Sequence, residues 1–372
     1  MATLVAPPLP SAVEPRAASA PPALPALTSI RFFAALGVVL FHFTERSRWP
    51  APLRNLVGRG YMGVPLFFIL SGFVLGYNYF PRARAGRFAT RRFWTARLAR
   101  IYPVYLLALA LLAPFVVSQY RGHISRAALA GSGLASTLML QSWIPGWRDY
   151  WNTPGWTLSI EAFFYLAFPL LLGIAFLNRR AASVAVAAAA LLTAVSFGLD
   201  HPGASWAARV PWTYLPMFLL GMVLARAHEL RLVARLQGAL AIAAAALMVD
   251  TIVGHGVPAA QIDRVCTLLA GLLVFGLAGS GGALARVLSW WPLVLLGEAS
   301  YSLYILQAPL WARLNQLRTW GVRSGRLTPA WSTADGPFLA VLLLGSVVLS
   351  LAVHHGFEQP ARAWLRRRTE PL

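Results

Sequence analysis

Four groups of side chains in this sequence have the types and spacing to do chemistry. The first is Arg31 and His42, which stand eleven residues apart inside an apolar stretch running from Leu27 to Glu45. On a helix, at 100° per residue, that interval is almost three full turns. Both side chains therefore share one face, separated by roughly 16 Å along the axis. An ionisable group inside a membrane span costs a few kcal/mol near the bilayer centre and ordinarily faces a protein-lined or wet cavity. A functional pair and a pair of helix-end anchors fit this spacing equally well.

The second group is Arg97 and Arg100, one turn apart in Arg97-Leu98-Ala99-Arg100-Ile101-Tyr102-Pro103. Paired guanidinium groups suit multidentate phosphate binding, although arginines in a basic loop also serve topology. The third is Glu161, an acid within the apolar run that opens Trp156-Thr157-Leu158-Ser159-Ile160. An intramembrane carboxylate is a functional candidate by default; it could orient His42 as a base, or pair an arginine. The fourth is the polar stripe Ser300-Tyr301-Ser302-Leu303-Tyr304-Ile305-Leu306-Gln307. Ser71 lies beside Gly72 and Gly76, whose spacing allows close helix approach, and it can bond a neighbour or a substrate.

The elements that must hold these groups are membrane helices. Of 372 residues, 58% are hydrophobic and only 12% charged, against about 25% charged in a typical soluble domain. Mean hydropathy is +0.61. Apolar runs near the roughly 20 residues that span a bilayer recur at 27–45, 60–80, 98–118, 156–177, 181–199, 210–228, 237–253, 263–280, 291–312 and 336–357. The expected fold is therefore all-α: a polytopic integral membrane protein with about ten transmembrane helices in one bundle. The run at 127–143 is short and contains Gly131, Ser132 and Gly133, which suits a re-entrant or interfacial segment. Residues 1–26, rich in Ala and Pro and without a leader pattern, read as a disordered tail. Residues 27–364 read as the membrane domain and 365–372 as a basic cytoplasmic tail.

The net charge of +20 comes from arginine alone. These arginines cluster in short loops between spans, so orientation in a membrane explains them and a nucleic-acid partner is not expected. Arg82, Arg84, Arg87, Arg91 and Arg92 fall on the same side as Arg362, Arg366, Arg367 and Arg368, which assigns both termini to the cytoplasm. Arg46, Arg48, Arg54, Arg59, Arg313, Arg318, Arg323 and Arg326 lie on the other side, so the bias is mixed. Cys266 is the single cysteine, which excludes an intramolecular disulfide and a cysteine-rich metal site.

Six motifs in order resemble the acyltransferase family 3 membrane proteins. They are Arg31-x10-His42, the Gly-Val-x-Leu-Phe-Phe-x-Leu-Ser-Gly-Phe block at 63–73, and Arg-x-x-Arg-Ile-Tyr-Pro from Arg97. Trp-Thr-Leu-Ser-Ile-Glu-x-x-Phe-Tyr-Leu at 156–166, Ser-Tyr-Ser-Leu-Tyr at 300–304 and Glu-x-Pro-x-Arg at 358–362 complete the set. The resemblance covers residues 27–364. It implies an O-acyltransferase of a bacterial cytoplasmic membrane, moving an acyl group, acetyl by default, from cytoplasmic acyl-CoA to a hydroxyl of a sugar, macrolide or envelope glycan. It implies no metal. His42 and Glu161 become the catalytic candidates. Arg31, Arg97, Arg100 and Tyr102 become donor-binding candidates, and Ser71, Trp156, Ser159 and Tyr301 substrate-binding candidates.

One departure stands out. Many relatives end the Ser-Tyr-x-x-Tyr stretch with histidine where this chain has Gln307, which cannot act as a base. Other relatives carry an appended esterase-like domain, which is not expected here. Coenzyme A joins its phosphates to the thioester by a long arm, whose reach is comparable to the Arg31–His42 separation. Arginines at the cytoplasmic mouth then hold phosphates, and His42 acts near the thioester as general base; a covalent acyl-histidine is the less favoured variant. The rival class is a transporter or flippase whose Arg31, His42 and Glu161 line a translocation path. Against it stands the lack of symmetry between halves.

Overall fold

The computed structural model describes residues 21–44, 49–197, 210–254, 259–279, 281–328, 331 and 336–369. The expected tail at 1–26 lies outside the described residues as far as residue 20, as do Glu45, Arg46 and Arg48. The first helix already begins at Pro25. All the regular structure described is helical, with no strand among the described residues.

The helices run α1 (Pro25–Phe43), α2 (Ala51–Gly58), α3 (Gly63–Arg84), α4 (Thr90–Tyr120), α5 (Arg126–Thr137), α6 (Trp156–Ala167), α7 (Arg179–Phe197) and α8 (Leu215–Glu229). They continue with α9 (Gln237–Val253), α10 (Ala259–Ala278), α11 (Ala283–Leu288), α12 (Trp291–Glu298), α13 (Ser300–Arg323), α14 (Pro337–Val353) and α15 (Gln359–Thr369). Proline opens α1, α8, α12 and α14, where its missing N–H costs nothing and its fixed φ suits the first turn.

Among the described residues, seven helical segments are long and apolar enough to cross a membrane: 25–43, 51–84, 90–120, 153–176, 234–253, 261–278 and 337–368. An eighth is broken, since α12 and α13 meet at 56°. These eight coincide with eight of the ten expected spans. The other two differ. The span expected at 210–228 is α8, only 15 residues long, and the one expected at 181–199 runs past Phe197 into residues outside those described. The 12-residue α5 is too short to cross, as the run at 127–143 suggested. Large apolar side chains face outward, Leu170 at 87%, Val184 at 69% and Leu344 at 68% exposure. Such a surface is stable against hydrocarbon and not against water.

Helices α3 and α8 form the tightest pairing in the bundle. A Cβ added at Gly72 would collide with the backbone oxygen of Phe218, and one at Gly221 with that of Ile69. Two glycines facing each other let the backbones touch, which is how helices gain dispersion energy where lipid removes the hydrophobic drive. Gly297 of α12 does the same against the carbonyl of Thr28 in α1. These contacts set α1 beside α3, α12 and α13, and so decide what Arg31 and His42 can reach.

Candidate active site

Each functional motif sits on a different helix, and five helices turn their motif residues into one cavity of about 90 Å³. Arg31 enters from α1, Ser71 from α3, Arg97 and Arg100 from α4, Glu161 and Tyr165 from α6, and Tyr301 and Tyr304 from α13. Apolar side chains such as Val64, Phe68 and Leu70 complete the wall. The α6 pattern follows from helix geometry. Thr157, Leu158, Glu161 and Tyr165 are spaced to share one face, and all four line the cavity.

Glu161 is the one carboxylate in that lining, against three guanidinium groups. Its Oε1 accepts hydrogen bonds from the Ser71 hydroxyl at 3.4 Å and from the Tyr165 hydroxyl, one turn along α6. Tyr301 donates to the carbonyl of Ile101 at 2.5 Å, tying α13 to α4. The Thr157 hydroxyl donates to the Pro154 carbonyl at 2.9 Å and accepts from the Tyr304 hydroxyl at 3.2 Å. Among the described residues no carboxylate comes within ion-pair distance of Arg31, Arg97 or Arg100. The cavity thus holds an excess of positive charge in a low-dielectric wall, the condition that attracts a polyanion.

His42 occupies the other end of the same α1 face and does not line the cavity. Its Nδ1 lies 3.2 Å from Oε1 of Gln307, a residue only 1% exposed. The Gln307 amide is oriented from its other side, because Nε2 donates to the Tyr304 carbonyl at 2.7 Å. Its oxygen therefore faces the imidazole, and Nδ1 must carry the hydrogen. That tautomer leaves the lone pair on Nε2, the arrangement a general base requires. Phe41 and Phe43 flank the ring, with Phe43 stacked on Trp311 at 5.3 Å. Asp149 is an electrostatic neighbour of the imidazole.

Of the sequence candidates, Arg31, Ser71, Arg97, Arg100, Glu161 and Tyr301 come together in the cavity, and His42 stands apart from them. Glu161 does not orient His42; its partners are Ser71 and Tyr165, and Gln307 takes the orienting position instead. Tyr102, Trp156 and Ser159 do not line the cavity. Tyr102 donates to the Thr137 carbonyl at 3.0 Å, holding α5 against α4. The indole of Trp156 is covered by the Arg148 guanidinium, 3.6 Å from the ring centroid. Ser159, two residues before Glu161, points to another side of α6 and is buried, its hydroxyl without a partner among the described residues.

The sequence marks neither Tyr165 nor Asp149 as a site residue, and it marks Gln307 only as a departure that cannot act as a base. Tyr165 was legible, since it lies four residues after Glu161 and so on its face. Gln307 meets His42 across 265 residues of sequence, and no local pattern signals that contact. Among the described residues no group of His, Cys, Asp and Glu side chains could hold a metal ion.

Comparison with known proteins gives a consistent picture. A family model described as an acyltransferase domain matches residues 24–355. The acyltransferase MdmB of Streptomyces mycarofaciens is 29% identical over 375 residues, covering 93% of each chain. The O-acetyltransferase OatA of Staphylococcus aureus is 28% identical over 167 residues, 42% of this chain and 26% of that one. No solved structure matches.

Proposed function

This chain belongs to the acyltransferase family whose domain it matches over residues 24–355, and on that premise we propose that it moves a short acyl group from acyl-CoA to a hydroxyl of a sugar-bearing acceptor. The observation that carries the reading is the division of α1. Arg31 joins Arg97 and Arg100 in one cationic cavity, while His42, held by Gln307, stands roughly 16 Å further along the same helix face. The spacing suits a donor whose phosphates and thioester are joined by a long arm.

The donor's diphosphate, where the long arm begins, binds at Arg97 and Arg100, with Arg31 lining the same cavity. Guanidinium groups give phosphate paired, charge-assisted hydrogen bonds. The arm then runs along α1 towards His42. Nε2 of His42 takes the proton of the acceptor hydroxyl as its oxygen attacks the thioester carbonyl. A C–O ester bond forms, the C–S bond breaks, and the departing thiolate takes the proton back from the imidazolium. Gln307 Oε1 holds Nδ1–H throughout, and its bond strengthens as the ring gains charge. Glu161 acts as a positioning residue, holding the Ser71 and Tyr165 hydroxyls and offsetting part of the arginine charge.

The acceptor is a macrolide glycoside or a glycan hydroxyl, and the O-acetyltransferase named among the relatives supports transfer to oxygen. We read α7 and α8 as further spans, giving ten, with both termini on the cytoplasmic side of a bacterial cytoplasmic membrane where acyl-CoA is made.

The test uses purified protein in neutral nanodiscs with acetyl-CoA and a panel of macrolide glycosides and glycans. Acceptor-dependent release of free thiol, with a matching mass increase on the acceptor, is expected. A translocation path would move a substrate without releasing thiol, so its absence with every acceptor and with longer acyl donors would sink the reading.

A further inference from the structure

The inner cavity is not the only cationic space at its end of the bundle. A second, larger cavity of about 450 Å³ lies between the end of α3, the start of α4 and α15. Arg82, Arg87, Arg92 and Arg366 line it beside the rings of Tyr79 and Phe88, and its lining contains no carboxylate. The arginines come from two segments about 270 residues apart in sequence, brought together because α15 packs along α4.

Arg97 connects the two spaces. It lines the inner cavity, and its guanidinium lies 5.9 Å from the Tyr79 ring centroid and 6.0 Å from that of Phe93, both of which line the outer cavity. Arg362 of α15 is an electrostatic neighbour of Arg100, Arg366 and Arg97, with Glu358 the nearby acid. The Nε groups of Arg97 and Arg362 are both buried without a hydrogen-bond partner among the described residues. A buried cationic donor without a protein partner is costly, and two of them near a cationic cleft suit an anionic ligand.

Membrane orientation alone accounts for arginines in this loop. It does not account for their convergence on a cleft with an aromatic wall, nor for buried unpaired Nε groups. Size then divides the ligand. About 90 Å³ is too small for a nucleotide, whereas about 450 Å³ lies within the roughly 300–1,000 Å³ of sites for compact ligands.

We propose that the outer cavity binds the phosphorylated nucleotide end of the donor. Arg82, Arg87, Arg92 and Arg366 meet the phosphate on its ribose, Tyr79 and Phe88 offer planar faces to the base, and Arg97 stands between this end and the inner cavity. The proposal rests on the acyl-CoA reading above and adds the residues that recognise the far end of that donor.

Direct binding of adenosine 3′,5′-bisphosphate to the full-length protein in phosphatidylcholine nanodiscs tests it without any acceptor. The wild-type chain is expected to bind this nucleotide, more weakly as salt rises. Arg87→Ala/Arg92→Ala/Arg366→Ala in one chain is expected to weaken binding tenfold or more. Arg323→Ala/Arg326→Ala, which removes charge after α13, leaves it unchanged. Arg87 and Arg366 are exposed, so the single variants serve if the triple one does not fold, each with a several-fold loss. No binding by the wild-type chain, or equal binding by the variants, overturns the proposal. So does complete loss of nucleotide binding in phosphatidylglycerol nanodiscs, which would assign the cleft to lipid headgroup phosphates. Failed nucleotide binding with acceptor-dependent thiol release intact removes this site and leaves the transferase reading standing. The converse removes the transferase reading alone.

Discussion

Replacing Gln307 with leucine removes one oxygen from the site and little else, and it probes the proposed base directly. Gln307 is 1% exposed and Leu has similar bulk, so the packing of α13 against α1 survives. The helix supplies its own backbone donor to the Tyr304 carbonyl, so losing the Nε2 bond at 2.7 Å leaves that group satisfied. What disappears is the acceptor 3.2 Å from His42 Nδ1. A neutral hydrogen bond contributes about 1 kcal/mol, and one to a charged group about 1.5–3 kcal/mol. The bond therefore gains strength as the imidazole takes the acceptor's proton, and that gain belongs to the transition state alone. Freed of its partner, the neutral ring also samples the tautomer with Nε2 protonated, which cannot accept. Together these effects predict a fall in kcat of about 10- to 100-fold at 1.4 kcal/mol per factor of ten, with the donor KM near its wild-type value. Steady-state thiol release at saturating acceptor measures both constants. Gln307→Glu keeps an acceptor at the same place and favours the imidazolium. It should retain activity, with the acidic limb of the kcat/KM profile displaced to higher pH because His42 must be neutral to act. A folded Gln307→Leu protein with wild-type kcat would refute the orienting role.

Further outcomes follow from the same geometry. Arg97→Ala and Arg100→Ala should each raise the donor KM about 10- to 100-fold with smaller effects on kcat, since a charge-assisted bond to phosphate contributes about 1.5–3 kcal/mol; donor titrations of initial rate read this. Gly72→Ala should lower thermal stability by separating α3 from α8, and Gly221→Ala should do the same, because in each case the added carbon meets backbone; thermal unfolding in detergent checks both. Glu358→Ala should destabilise by about 1–3 kcal/mol. It strands Ser302 and His354, which contact that buried carboxylate at 2.7 Å and 3.0 Å.

Much of the site was legible because its residues stand out against an apolar background. Arg31, Arg97, Arg100 and Glu161 are rare and costly in membrane helices, so their types alone mark them, and their helical spacing gave the faces that meet in the cavity. Ser71 and Tyr301 were legible only as members of longer motifs. Tyr102, Trp156 and Ser159 sit within those motifs yet turn elsewhere, since a motif on a helix necessarily covers all its faces. The partnership of His42 with Gln307 was beyond any local pattern, because it depends on how α13 packs against α1. The same holds for the outer arginine cleft. Its two halves read separately as orientation signals, and only the docking of α15 on α4 shows that they face each other. Eight of the ten expected spans have the length and apolarity of a crossing helix among the described residues, whereas α8, 15 residues set closely against α3 through glycines, falls short of that length.

The central claim is that His42 is the base at the thioester while arginines at the other end of α1 hold the donor. The most direct measurement is acyl transfer by His42→Ala, paired with donor binding on the same preparation. The account predicts donor affinity close to wild type and a kcat lower by about 10²- to 10⁴-fold, the usual contribution of general-base catalysis. A His42→Ala protein that binds donor and transfers acyl groups at the wild-type rate would contradict it.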